Sequence, residues 1–204
     1  MKEHEDKFVK NAAILSVAGI FVRALGAVYR IPLARFAGQE IMGLYQMAYP
    51  IYTTLLAISI SGPPIAVAKM VAERVARQRY RAAQRVFQIS MLVLGTLGLL
   101  STIVLMFASP YLVNNVLGDK RAIGSLMAMA PAVLIVALMS GMRGYFQGLQ
   151  EMVPYALSQI AEQVVRVSIA LGFGFYLLSL HKAPEVVASG ISSGGTLGGM
   201  AGLI

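Results

Sequence analysis

The sequence predicts an all-α, polytopic membrane protein, and three observations carry that prediction. The chain is 57% hydrophobic and 13% charged, with a mean hydropathy of +0.71. An ordinary globular domain is about 45–50% apolar and about 25% charged. Apolar runs close to the ~20 residues that cross a hydrocarbon core recur along the chain between short polar breaks. The breaks alternate in basicity, which membrane topology demands and a soluble fold does not. Spans are predicted at about 8–34, 41–68, 86–109, 122–145, 155–180 and 184–204. Residues 1–204 therefore read as one six-helix transmembrane lobe.

The first span carries Arg23 and Arg30 inside an apolar stretch from Phe8 to Leu33. An arginine at mid-bilayer costs about 2.5–3.5 kcal/mol on the most lenient scale, so such residues face a bundle interior or a water-filled cavity. Their spacing is close to two helical turns, which puts both guanidinium groups on one face with Gly19 and Gly26. The stretch is too long for the core of a signal peptide and has no small-residue cleavage site behind it, so it reads as a permanent span.

The second span contains Pro50 and then Pro63 and Pro64 after Ser61 and Gly62. Proline removes a backbone donor and clashes with the preceding turn, so Gly62, Pro63 and Pro64 are candidates for a hinge or a packing kink. The connection that follows is densely basic, with Lys69, Arg74, Arg77, Arg79, Arg81 and Arg85 against Glu73. Its helix-like stretch from Val71 to Val86 is expected to lie on an anionic inner leaflet, where each Lys or Arg contributes about 1 kcal/mol.

The third and fourth spans are bounded by Asp119, Lys120 and Arg121 on one side. Those residues, Arg35 with Glu40, and Lys182 form connections poor in net charge, whereas the N-terminus offers Lys2, Lys7 and Lys10 beside Glu3, Glu5 and Asp6. The positive-inside rule then places the N-terminus in the cytoplasm. Tyr45, Tyr49, Tyr52, Tyr111 and Tyr176 are expected at the outer interface, and Tyr145 and Tyr155 at the inner one, as aromatic belts.

The fifth span puts Gln159, Glu162, Gln163 and Arg166 on one helical face, with Glu162 and Arg166 as an i,i+4 pair in its more favourable orientation. Counted from Pro154, they lie about 8–18 Å deep in the cytoplasmic half. The pair either holds helices together or lines a polar cavity with Arg23 and Arg30. In the sixth span Gly190, Gly194, Gly198 and Gly202 recur every fourth residue, with Gly195 and Gly199 on an adjacent stripe. Small residues at this spacing let helix backbones approach closely in lipid. A nucleotide-binding glycine loop would need a preceding strand, and the surroundings are apolar.

Several function classes fall away on composition. The chain has no cysteine, and His4 and His181 are its two histidines, on opposite sides of the predicted membrane. No metal site, catalytic residue or cofactor is therefore expected. The net charge of +8 belongs mainly to one connection and speaks for topology rather than for nucleic acid. An enzyme would need convergent nucleophile, base or metal ligands, which the pattern does not supply.

The stretch FVRALGAVYRIPLARFAGQEIMGLYQMAYPIY, then ISGPPIAVAKMVAE and RGYFQGLQEMVPYALSQIAEQVVRV, resembles the stage V sporulation protein B-like branch of bacterial oligosaccharide and lipid flippases. That branch belongs to the superfamily that also holds multidrug and toxin extruders and the lipid II flippase. The resemblance implies two six-helix lobes, with twelve to fourteen spans, around a central cavity. This chain would be the N-terminal lobe of such a protein, with the second lobe as its partner. It also implies a cavity arginine on the first helix, matched by Arg23 within RALG, while Arg30 sits one place after the family's second basic position. Guanidinium groups match the diphosphate of a polyprenyl-linked saccharide through charge-assisted contacts. The expected function is thus movement of a lipid-linked anionic saccharide, such as a cell-wall, sporulation or other polysaccharide precursor, across a bacterial cell membrane by alternating access. Na+, H+ or the membrane potential would supply the energy. A multidrug extruder of the same superfamily is the alternative; it would be expected to place an acidic residue in the cavity. A non-transporting scaffold is distinguished by arginines that tolerate leucine.

Overall fold

The computed structural model describes residues 2–60 and 62–203, with side chains from residue 11 onward except at 12, 58–60 and 63. The charged side chains of the first ten residues, His4 among them, the whole of Ser61 and the side chain of Pro63 lie outside that description. Among the described residues seven α-helices follow in chain order: α1 (Lys2–Val28), α2 (Arg30–Ile60), α3 (Pro63–Ala76), α4 (Tyr80–Leu112), α5 (Ile123–Gly148), α6 (Met152–Ser179) and α7 (Pro184–Gly202). A π-helical turn at Val113–Leu117 and a 3-10 turn at Lys120–Ala122 join α4 to α5. No strand occurs among the described residues, and the chain is all-α.

Among the described residues, four stretches are long and apolar enough to cross a membrane: Ala13–Ala57, Tyr80–Leu117, Lys120–Gly148 and Met152–Ser179. The first, at 45 residues, is twice the length of one crossing. Helical bonding carries straight through Tyr29, whose amide donates to the Leu25 carbonyl at 3.1 Å and whose carbonyl accepts from the Leu33 amide at 3.1 Å. The reversal comes instead at Gly38, with φ 75° and ψ 173°, a backbone region open essentially to glycine alone. Residues 2–37 thus form one helical rod and 39–60 return beside the bundle.

Two features differ from the sequence expectation. The helix of the second span stops at Ile60, and the chain restarts as a separate helix at Pro63. Proline tolerates this first-turn position because its missing N–H would have no intrahelical partner there. Gly62 keeps an α-type backbone at φ −104°, ψ −41°, and its carbonyl accepts from the Ala66 amide at 3.2 Å. The basic stretch is also not one surface helix. Its residues ride the tip of an α3–α4 hairpin whose turn is made by Gln78 at φ 57°. After the amphipathic Tyr80 at its first position, α4 carries its large exposed apolar side chains from Ile89 to Tyr111. The hairpin tip at Tyr80 therefore stands about 13 Å beyond the apolar band.

Contacts across the bundle group the connections into two ends. At one end Asn11 donates to the Gln150 carbonyl at 2.8 Å. At the other Arg121 bonds Glu40 at 2.5 Å and Asp119 at 2.9 Å. Hydrogen bonds from Arg121 hold the Asp119 carboxyl below the usual carboxylate range.

Helix α5 is the central element, with Leu126, Ala130, Ala132, Val133 and Ala137 fully buried. Glycines set how closely its neighbours approach. A Cβ on Gly144 would lie 2.7 Å from the Pro64 carbonyl oxygen, and one on Gly148 2.6 Å from Val71 Cβ, so α3 docks directly on the end of α5. On α7, a Cβ at Gly194 would lie 2.9 Å from the Arg166 carbonyl oxygen, and one at Gly198 2.7 Å from that of Glu162. The four-residue glycine stripe is therefore the seam between α7 and α6, and backbone contact there leaves no room for side chains. On the adjacent stripe, Gly199 abuts Ile135 of α5.

Candidate functional site

A cavity of about 330 Å³ lies where α1, α2, α6 and α7 converge. Arg23 and Arg30 of the first rod enter it two turns apart, and Arg166 and Gln163 enter from α6. Gly26 stands between the arginines because a Cβ there would come within 3.1 Å of Gln163 Nε2. Gly195 also lines the cavity, and a Cβ on it would meet nothing within 4 Å. At 1.5 Å per residue, Arg23 is about 18 Å from the level of Asn11 and about 22 Å from Gly38, near the middle of the bundle.

The structure brings four of the sequence-predicted residues together: Arg23, Arg30, Gln163 and Arg166. Glu162 and Gln159 are half-buried and outside the cavity lining. Gly62, Pro63 and Pro64 form the α2–α3 break and are not among the cavity-lining residues.

Glu162 is not one half of a simple pair. One carboxylate oxygen accepts from Arg166, and the other accepts from Arg143 of α5 at 2.9 Å. The Glu162 and Arg143 side chains are 14% and 13% exposed, so this charge cluster is enclosed. Arg143 Nε also donates to Ser158 Oγ at 3.1 Å, and its guanidinium stands 5.7 Å from the Tyr155 ring centre. Ser158 in turn donates to the Gly202 carbonyl. Two cations and one anion thus tie α5, α6 and α7 together with a net charge of +1. Arg166 Nε is buried without a partner among the described residues, and this side chain is the one member of the cluster that reaches the cavity. Sequence reasoning missed Arg143 because it sits where the fourth span ends, so hydropathy averaging treated it as a boundary charge. Its position inside the small-residue run SGMRG is the signal that could have found it.

The tyrosines are the second correction. Tyr45, Tyr49 and Tyr52 do not form an interfacial belt; with Tyr29 they line the cavity. Spacing of i, i+4 and i+7 stacks them on one face of α2, with ring centres 5.8 Å and 6.3 Å apart. Tyr145 packs against Phe87 at 4.7 Å, whereas Tyr111 and Tyr176 are exposed. Among the described residues no carboxylate pairs with Arg23 or Arg30, and the cavity lining contains no acidic side chain. The site presents three guanidinium groups facing four phenols.

Residues 8–204 match the family model described as polysaccharide biosynthesis protein, and the chain belongs to that family. It is 41% identical over 162 residues to stage V sporulation protein B of Bacillus subtilis, covering 79% of this chain and 31% of that protein. It is 30% identical over 207 residues to the lipid II flippase MurJ of Bacillus subtilis, covering 97% of this chain and 38% of that one. The chain thus spans about a third of the length of these curated relatives. Among solved structures, a transporter of the MOP superfamily from Pyrococcus furiosus superposes with a TM-score of 0.75 over 94% of this chain and 43% of its own, at 14% identity. That likeness establishes the fold, and the chain is a multi-pass membrane protein.

Proposed function

We propose that this member of the polysaccharide biosynthesis protein family moves a polyprenyl-diphosphate-linked saccharide from the inner to the outer leaflet of a bacterial cell membrane. One observation carries the reading: a mid-bundle cavity lined by Arg23, Arg30 and Arg166 with no acidic side chain in its lining. Three guanidinium groups at mid-membrane are costly unless an anion compensates them, and a diphosphate takes bidentate contacts from Arg. A second lobe would close the cavity from the other side, and alternating exposure would carry the head across without covalent chemistry. Each negative charge moving outward is favoured by about 2.3 kcal/mol per 100 mV of interior-negative potential. The membrane potential is the energy source this lobe supports, since its enclosed carboxylate, Glu162, is engaged by two arginines rather than open to Na+ or H+. The same engagement weighs against a multidrug extruder, which would present a carboxylate to a cationic drug.

Transbilayer movement tests this directly. Protein expressed from its complete reading frame, reconstituted in vesicles, should move a fluorescent undecaprenyl diphosphate carrying one N-acetylhexosamine across the bilayer faster when an outward-favouring potential is applied. Movement of a cationic dye instead, with none of the diphosphate, would replace this reading with the extruder.

The orientation follows from the basic hairpin tip and the positive-inside rule. Cysteines replacing Arg77 and Gln150, both exposed, should react with impermeant maleimide only from the cytoplasm, and one replacing Asp119 only from outside. Labelling at residue 77 in intact cells would invert the topology.

A further inference from the structure

The cavity has two chemically different walls, and the flippase reading accounts for one of them. Its cationic wall suits phosphate. Its other wall is the ladder of Tyr45, Tyr49 and Tyr52, whose tilted rings lie 33° and 52° from one another. Tyr52 is 5% exposed, and its hydroxyl is buried without a hydrogen-bond partner among the described residues. A buried phenol normally finds a partner, so this orphan hydroxyl on the cavity wall is a place for a ligand's polar group.

Resting on the flippase reading, we propose that the Tyr45–Tyr49–Tyr52 ladder binds the pyranose ring adjacent to the diphosphate, with Tyr52 Oη hydrogen-bonded to a sugar hydroxyl. A pyranose offers both complements. The C–H hydrogens of its faces carry partial positive charge and pack against the negative face of an aromatic ring. Its rim of hydroxyls donates and accepts, as a phenol does. The arginines would hold the charge common to all such lipids, while the ladder reads whether a sugar is attached. Ligand sites divide this work in the same way, with aromatic walls for contact area and a few placed polar groups for orientation. The ladder thereby makes the site selective for the loaded carrier over the bare polyprenyl diphosphate.

The test uses protein from the complete reading frame in nanodiscs and two probes, undecaprenyl diphosphate with and without one N-acetylhexosamine. The parent protein should bind the glycosylated probe about tenfold more tightly. Tyr49→Leu should erase that preference, and Tyr52→Phe should weaken the glycosylated probe severalfold. Both should hold the bare probe, which reports that the cavity is still folded. Equal affinity for the two probes in the parent, or a preference that survives Tyr49→Leu, overturns the sugar ladder and leaves the headgroup reading standing. Binding of neither probe by the parent overturns the headgroup reading, and the ladder with it.

Discussion

Glu162→Leu should unfold the lobe or leave it barely stable, a loss of about 3–5 kcal/mol. The carboxylate lies between Arg143 and Arg166 with 14% of its side chain exposed. Removing it leaves two guanidinium groups facing each other in an enclosed site. Arg143→Leu should be milder, because the Glu162–Arg166 pair remains neutral, although one carboxylate oxygen of Glu162 loses its partner along with the bond to Ser158 and the contact with Tyr155. Exchanging the charges by Glu162→Arg with Arg166→Glu keeps a cation and an anion one turn apart. It should nevertheless fail, because position 162 would then present a second cation to Arg143 and the cavity would gain a carboxylate. Thermal melting of purified protein, read with expression in the membrane fraction, ranks the three variants. A charge-swapped protein as stable and active as the parent would show that the three-residue cluster does not act as a unit.

What the sequence disclosed and what it concealed divide along physical lines. Intramembrane charge is expensive, so Arg23, Arg30 and Arg166 stood out against their apolar surroundings, and helical periodicity placed Gln163 on the same face as Arg166. The four-residue glycine repeat was equally legible, because backbone contact in lipid has few other solutions; the partner of that repeat, α6, was not. Tertiary neighbours are what a linear pattern lacks. Tyr45, Tyr49 and Tyr52 fit an interfacial belt by depth, and only the return of α2 after Gly38 turns them inward. Arg143 is nineteen residues from Glu162 along the chain and on another helix, so no local spacing rule could join them. The break at Gly62 was signalled by two prolines, but the docking of α3 against Gly144 and Gly148 depends on which helix those glycines face.

Arg23→Ala should abolish complementation in a flippase-depleted strain while the protein still reaches the membrane. Arg23 lines the cavity near mid-bundle and has no carboxylate partner among the described residues, so its removal breaks no internal ion pair. The residue is also exposed within this lobe, and truncation leaves no core void. Any loss then comes from what Arg23 meets across the cavity rather than from contacts within this lobe. A hydrogen bond to a charged group contributes about 1.5–3 kcal/mol, which corresponds to roughly 10–100-fold weaker binding of a diphosphate. Arg23→Lys should recover part of that, since a point charge retains the attraction but not the bidentate fork. The same ordering should appear in probe binding, with arginine above lysine and lysine above alanine. The differences should shrink as salt is raised to the extent that water in the cavity screens them. Full complementation by the alanine variant would mean that Arg23 serves neither headgroup nor transport, and the reading of the cavity as an anion site would have to rest on Arg30 and Arg166 alone.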